Sequence, residues 1–329
     1  MSAAAVLQRL LDEGAAHDCE FRGGLSNHRP MALTALAALG AGEARLEAFA
    51  AAYARRLNKA PKPVAWKSGE PWRGRFGQRA AWPRYRDLFG QWIAHEGSGA
   101  VLAQALPPLF EGAGAAAFHG LIRTAYAVRA AHRGELVDGL AYWSCRWLDL
   151  GAARPAGRVA DALKLLKALP IELQQDHGLI FERMQGAAAG AEFEGAVTRL
   201  RVDEGTLERI ARAAAQLYAL SGNFTVLHLV TGAQALRVLL PFVDGPDETQ
   251  AALGAFWRAA VAGALASGAR FERQPPAPKP WDELVAAALA SDDEHLIKIV
   301  DACREEQRHH GGADDWQRAA TRAVLGAAP

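Results

Sequence analysis

The sequence predicts an all-α protein, a single large multi-helical domain (1–329) built from αα-hairpins around a central polar site. Three observations carry this expectation. Half of the 329 residues are hydrophobic and alanine is very abundant, and Ala and Leu are among the strongest helix formers. Apolar stretches of helical length are opened by capping residues and closed by glycine or proline. No alternation of apolar and polar residues with turn chemistry marks a strand. A chain of this length can bury a sizeable core.

Composition narrows the function. Lys and Arg number 37 against 36 Asp and Glu, for a net charge of +1. The basic residues are scattered, so neither nucleic acid nor an anionic membrane is an expected partner. Cys19, Cys145 and Cys303 are far apart and odd in number, which reads as reduced thiols in the cytoplasm. The N-terminal stretch is amphipathic and carries acids, unlike a secretory signal, and no segment is expected to reach the ~20 apolar residues of a membrane span.

The elements follow in order. Residues 3–13 form a short helix and 21–30 a turn, with Ser26 or Asn27 as cap and Pro30 in the first turn of the next helix. That helix ends near Gly40–Gly42, and a partner over 43–56 completes a hairpin. Residues 58–81 hold three prolines, Trp66, Trp72 and Phe76 with no clear period. An arm of this length is either a lid over a pocket or a strap held down by its aromatics. Helices resume over 82–95 and 97–110, where Pro107–Pro108 should bend or end the second. A helix carrying His119 and Arg123 closes at Gly134 and is followed by a partner over 135–148. This second hairpin resembles the first, since each starts at a histidine and turns at Gly-Glu. Helices are expected over 157–168, 175–188, 191–199 and 204–219. The stretch 223–241, with His228, is the most apolar of all. A helix over 246–267, a proline-rich connector over 270–280 and helices over 281–290, 292–307 and 314–325 complete the chain. No GxGxxG loop and no Walker loop occurs, so a Rossmann-held flavin or nicotinamide is not expected.

Four histidines, His28, His119, His228 and His295, stand near the start of apolar helical stretches, and Lys298 lies one turn after His295. Helical proteins build metal sites from side chains projected inward by facing helices, usually with Glu-x-x-His pairs. Here a lysine takes the place of the acid. A buried lysine loses its charge, and a neutral amine can add carbon dioxide to give a carbamate, a carboxylate-like ligand. Imidazoles with one such oxygen suit iron(II) and, less specifically, zinc or manganese. Each residue also has a plainer role: helix cap for His28, satisfied core histidine for His119, exposed helix-start residue for His295, and ion-pair partner of Glu294 for Lys298. His228, among Leu227, Leu229 and Val230, is the strongest ligand candidate, because an unpaired imidazole there is costly.

Five stretches, Ser26–Leu33, Phe118–Arg123, Leu136–Tyr142, Leu227–Gly232 and His295–Lys298, together resemble the questin oxidase-like family, in its bacterial branch. The resemblance runs from about residue 20 to about residue 305. It implies a helical fold and an oxygen-using enzyme that oxidises or opens anthraquinone-type polyketide rings, by Baeyer–Villiger-like insertion or ring cleavage. It also implies non-haem Fe(II) held by His28, His119, His228, His295 and a carboxylated Lys298, with NADPH as a further cofactor. The sequence departs from the family where Gly232-Ala233-Gln234-Ala235 replaces a segment that often carries another histidine. Gln234 can still donate and accept hydrogen bonds. Arg123, Tyr126 and Gln234 are the candidate catalytic residues, Arg123 to hold a phenolate or carboxylate, with Tyr126, Tyr142, Trp143 and the 58–81 arm as an aromatic pocket and lid. The expected partners are an aromatic small molecule and O2. The competing readings are a metal-free helical small-molecule-binding protein or NADPH-dependent oxidase, and a scaffold whose histidines scatter.

Overall fold

The computed structural model of the chain describes residues 2–171, 178–312 and 314–327. Helix α1 (Ala3–Gly14) opens on Ser2, whose hydroxyl accepts from the Ala5 N–H. A two-residue hairpin follows where only a turn is expected: β1 (Glu20–Phe21) pairs antiparallel with β2 (Leu25–Ser26), Glu20 opposite Ser26. Strands of two residues are too short to show a period, which is why none was legible. Helices α2 (Arg29–Leu39) and α3 (Glu43–Ala54) form the first hairpin, closed by Gly40 at φ 101°.

Residues 58–81 are a strap. Two short 3-10 turns (Trp72–Arg75 and Arg79–Ala81) lay Trp72 against Phe89 and Trp92 of α4 (Trp82–Glu96), while Trp66 packs on Tyr85. Helix α5 (Ser98–Phe110) runs through Pro107 and Pro108 for two more residues. Leu106, Leu109 and Phe110 are buried there, and their packing outweighs the two missing N–H donors. Helices α6 (His119–Arg129) and α7 (Arg133–Cys145) form the second hairpin. They cross so closely that a Cβ on Gly120 would lie 2.6 Å from Trp143 Cα, and one on Gly139 would lie 2.9 Å from Thr124 Cα.

Helix α8 (Ala162–Lys167) is shorter than the expected 157–168. Residues 157–159 instead run extended beside 199–201, where Gly157 donates to Leu200 O and Arg201 to Val159 O. Helices α9 (Ile180–Ala188), α10 (Ala191–Thr198) and α11 (Thr206–Ser221) follow. The expected start of α9, and His177 with it, lies outside the described residues. Helices α12 (Phe224–Leu239), α13 (Gly245–Leu265), α14 (Trp281–Ala290), α15 (Glu294–His310) and α16 (Asp315–Gly326) complete the fold. The 270–280 connector is tied to α16, since Arg318 donates to Pro276 O and Arg322 to Gln274 O.

One continuous hydrophobic cluster runs from α1 to α16. At its centre stands α12, packed on α6, α11, α13 and α15. By length and apolarity 224–242 could cross a membrane, contrary to the reading that no segment comes near this, but 72% of it is buried inside the protein. It is a core helix, apolar on all sides because protein surrounds it.

Candidate metal centre

Each candidate ligand sits near the start of a helix. His28 is the N-cap of α2, His119 the first residue of α6, His228 lies one turn into α12, and His295 follows Glu294 at the start of α15. These helices pack as a closed ring: α2 on α6, α6 on α12, α12 on α15, and α15 back on α2. The imidazoles close in the same order. Ring centroids are 4.6 Å apart from His28 to His119, 4.8 Å from His119 to His228, 5.6 Å from His228 to His295 and 4.6 Å from His295 to His28. Lys298, one turn along α15, is fully buried, and its Nζ lies 2.7 Å from His28 Nδ1. It does not pair with Glu294, whose carboxylate goes to Arg56 at 3.1 Å. Nor does the His28 side chain cap α2, because Asn27 Oδ1 accepts the Arg29 N–H at 3.0 Å.

The outer nitrogens explain how the rings are aimed. His119 Nδ1–H donates to Ala116 O at 2.5 Å and His228 Nδ1–H to Phe224 O at 2.8 Å, while His295 Nδ1 lies 3.5 Å from the Asp293 carboxylate. These acceptors fix one tautomer, with the Nε2 lone pair free, as second-shell acceptors do for metal-bound histidines. In all three rings Nε2 is buried and has no hydrogen-bond partner among the described residues. Leaving each so costs about 1–3 kcal/mol, and three together are a sizeable share of the ~5–15 kcal/mol that stabilises a typical domain.

The Ala116 acceptor comes from an unusual segment. Ala116, Ala117 and Phe118 all adopt left-handed backbone, with φ of 46°, 56° and 68°. Non-glycine residues resist this conformation by about 1–2 kcal/mol each. Such strain gathers where a functional geometry must be held, and here it presents a carbonyl to His119 on the site wall.

Burial is the first cause that keeps the imidazoles neutral. It drives His28, His119 and His228 well below the ordinary histidine range and lowers His295 as well. The Lys298 charge adds to this at His28 and His119, the His119 charge at His228, and the Asp293 hydrogen bond opposes it at His295. Burial likewise brings Lys298 down to about 7, against the opposing pull of Glu294 and Asp293. The positive ends of four helices meet at this point and favour negative over positive charge. Neutral imidazoles and an amine that can shed its proton are the forms that bind a metal.

The donor set fits an ion. With metal–nitrogen bonds of about 2.1 Å, imidazole centroids lie roughly 3.2 Å from the metal, so adjacent ligand rings stand about 4.5–5.2 Å apart. Three of the observed separations, 4.6, 4.6 and 4.8 Å, fall in that range, and the fourth, 5.6 Å between His228 and His295, is wider. The missing element in a neutral set is an anion to balance a divalent charge. A carbamate on Lys298 is one source. Glu294 stands beside this set: one of its carboxylate oxygens and ring nitrogens of His28 and His295 all lie within 4.8 Å of one another, but its two oxygens are already held, by Arg56 and Tyr53. The only sequence signal for its position was that Glu294 precedes His295, and it had been assigned to an ion pair.

The rings open onto a cavity of about 440 Å³, a size that holds a drug-sized ligand. Its walls combine His28, His119, His228 and His295 with Phe21, Phe181 and Phe224. Phe224 lies edge-on to both His228 and His295, with centroids 5.0 and 4.6 Å away. The residues expected to line a pocket are elsewhere. Arg123 is buried against Glu135 and Asp138 at 3.0 and 3.1 Å. Tyr126 donates to Asp301 at 2.9 Å, Tyr142 bonds Glu20 and Ser26, and Trp143 donates to Gly112 O. Gln234 is fully buried in α12, its amide atoms without partners among the described residues. None of these, and no residue of the 58–81 strap, lines the cavity. Helical spacing alone could not reveal this, because Arg123 lies one turn beyond His119 and faces α7 instead.

An all-α ring that brings four imidazoles to the wall of an apolar cavity, with a buried amine behind one of them, defines a helical protein with a histidine-built centre. Residues 25–303 match the family model described as Questin oxidase-like, and the chain belongs to that family. None of the curated proteins compared with the chain matches it. Membership supports an oxidoreductase of the oxidase or oxygenase kind, acting on an aromatic polyketide-type substrate.

Proposed function

We propose that the protein is a non-haem iron oxygenase, with His28, His119, His228, His295 and Lys298 holding the ion. The observation that carries this reading is the set of three fixed-tautomer histidines whose buried Nε2 atoms have no partner among the described residues. Bound there, iron(II) would supply activation of dioxygen. The chain's own part is to bind and orient. Phe21, Phe181 and Phe224 offer aromatic faces to a fused-ring substrate and exclude water around it. The imidazoles hold one wall and fix which edge of the ring meets it. The product would be a ring-expanded ester or a cleaved ring. NADPH enters as a diffusible reductant.

The test is the iron content of protein purified without chelators, together with oxygen uptake on quinone substrates. His228→Ala should lose both. A variant that retains both would overturn the assignment. The metal-free alternative has one observation in its favour, because Lys298 and His28 already hydrogen-bond to one another without an ion. Absence of transition metal after anaerobic iron reconstitution would select it.

A further inference from the structure

We propose that Glu294 determines substrate specificity by accepting a hydrogen bond from a phenolic hydroxyl on the aromatic ring bound in the cavity. The proposal rests on the aromatic-substrate reading above and adds the group that recognises the substrate's polar edge. Among the described residues, the polar side chains in the cavity wall besides the imidazoles are Ser26, Arg183 and Glu294. Ser26 is engaged with Tyr142 at 2.7 Å, and Arg183 donates to Thr225 at 3.4 Å. Glu294 is therefore the carboxylate that the cavity presents to a ligand.

Its surroundings suit that role. Oε2 accepts from Arg56 at 3.1 Å and Oε1 from Tyr53 at 3.4 Å, while the Tyr53 oxygen in turn accepts the His28 N–H at 3.2 Å. A carboxylate offers about four acceptor positions, so two partners leave capacity for a ligand. Arg56 balances its charge, and the side chain is only 14% exposed, so a hydrogen bond to it competes weakly with water. The clamp runs from Glu294 through Tyr53 to the backbone of His28, and so places the acceptor at a fixed distance from the candidate centre. Phe224 and Leu25 line the same cavity and are 53% and 45% exposed, which puts an apolar mouth beside this acceptor.

The chemistry that follows is selective. A ring hydroxyl donates to the carboxylate, whereas the corresponding methyl ether sets one acceptor against another. Sites built to hydrogen-bond a hydroxyl discriminate strongly against analogues lacking it, and bonds to charged groups correspond to roughly tenfold or more in affinity.

The experiment is calorimetric titration of iron-loaded and iron-free protein with a dihydroxyanthraquinone and its dimethyl ether, with the metal content of each sample measured in parallel. Wild type should bind the dihydroxy compound about tenfold more tightly. E294Q should reduce that preference and E294A should abolish it, with iron content and affinity for the ether unchanged. Preference that survives in E294A overturns the proposal. So does loss of iron in E294Q, which would make Glu294 a ligand of the metal. Equal binding of both probes by wild type rejects the Glu294 role while leaving the aromatic-substrate reading standing. Failure of both to bind rejects the two together.

Discussion

The guanidinium of Arg123 shows how a residue one turn from a candidate ligand can belong to another part of the molecule. It is 2% exposed and held between Glu135 and Asp138, and those carboxylates keep it charged despite full burial. Removing one member of such a buried group leaves uncompensated charge and costs about 3–5 kcal/mol. Arg123→Met should therefore lower the unfolding free energy from denaturant titration by that measure while its iron content stays at the wild-type level. Iron loss at unchanged stability would return Arg123 to the centre. Tyr126, bonded to Asp301, belongs to the same class of structural partner. The candidate ligands were legible because a histidine within an apolar helical run is conspicuous. Glu294 was not, since an acid in the first turn of a helix is ordinary, and only folding shows that it faces His28, more than 260 residues away in the chain.

Among elements, the α6–α7 hairpin sets the site most directly. Its close crossing depends on Gly120 and Gly139, where an added Cβ would meet backbone atoms. Gly120→Ala should destabilise by about 1–3 kcal/mol as the helices are pushed apart, and because Gly120 follows His119 it should also weaken iron binding. A thermal melt and a metal titration of the variant check both effects. The left-handed segment 116–118 predicts the opposite sign. Ala117→Gly relieves a strained φ of 56° and should raise stability by up to about 1 kcal/mol. A melting temperature below wild type would show that the strain is not borne there. The helices themselves were readable from caps, glycines and apolar runs. The exceptions have local causes: two-residue strands show no period, residues 157–159 follow a neighbouring segment instead of their own propensity, and the prolines of α5 are overridden by burial.

At the scale of the whole molecule, the ring of α2, α6, α12 and α15 is joined at one point by groups that an ion would connect. A ligand bound only by the folded state stabilises it, by about 2.7 kcal/mol at a hundredfold excess over its dissociation constant. Iron(II) added anaerobically should therefore raise the melting temperature by a few degrees, chelation should reverse the shift, and His228→Ala should show none. A wild-type protein indifferent to iron would contradict a site built across four helices.

The sequence by itself determined the helical class, most element boundaries and the family, and it singled out the histidines and Lys298 as candidates, because these are local matters of propensity, capping and residue type. It could not determine which way a side chain faces once its helix is packed. Tertiary structure alone decided that the four imidazoles close into a ring, that Lys298 meets His28 instead of Glu294, that the 58–81 segment straps α4, and that the cavity is walled by Phe21, Phe181, Phe224 and Glu294. The reason is physical. The rotation of each helix about its axis is fixed by burial against elements distant in the chain, and that rotation separates a ligand from its neighbour one turn away.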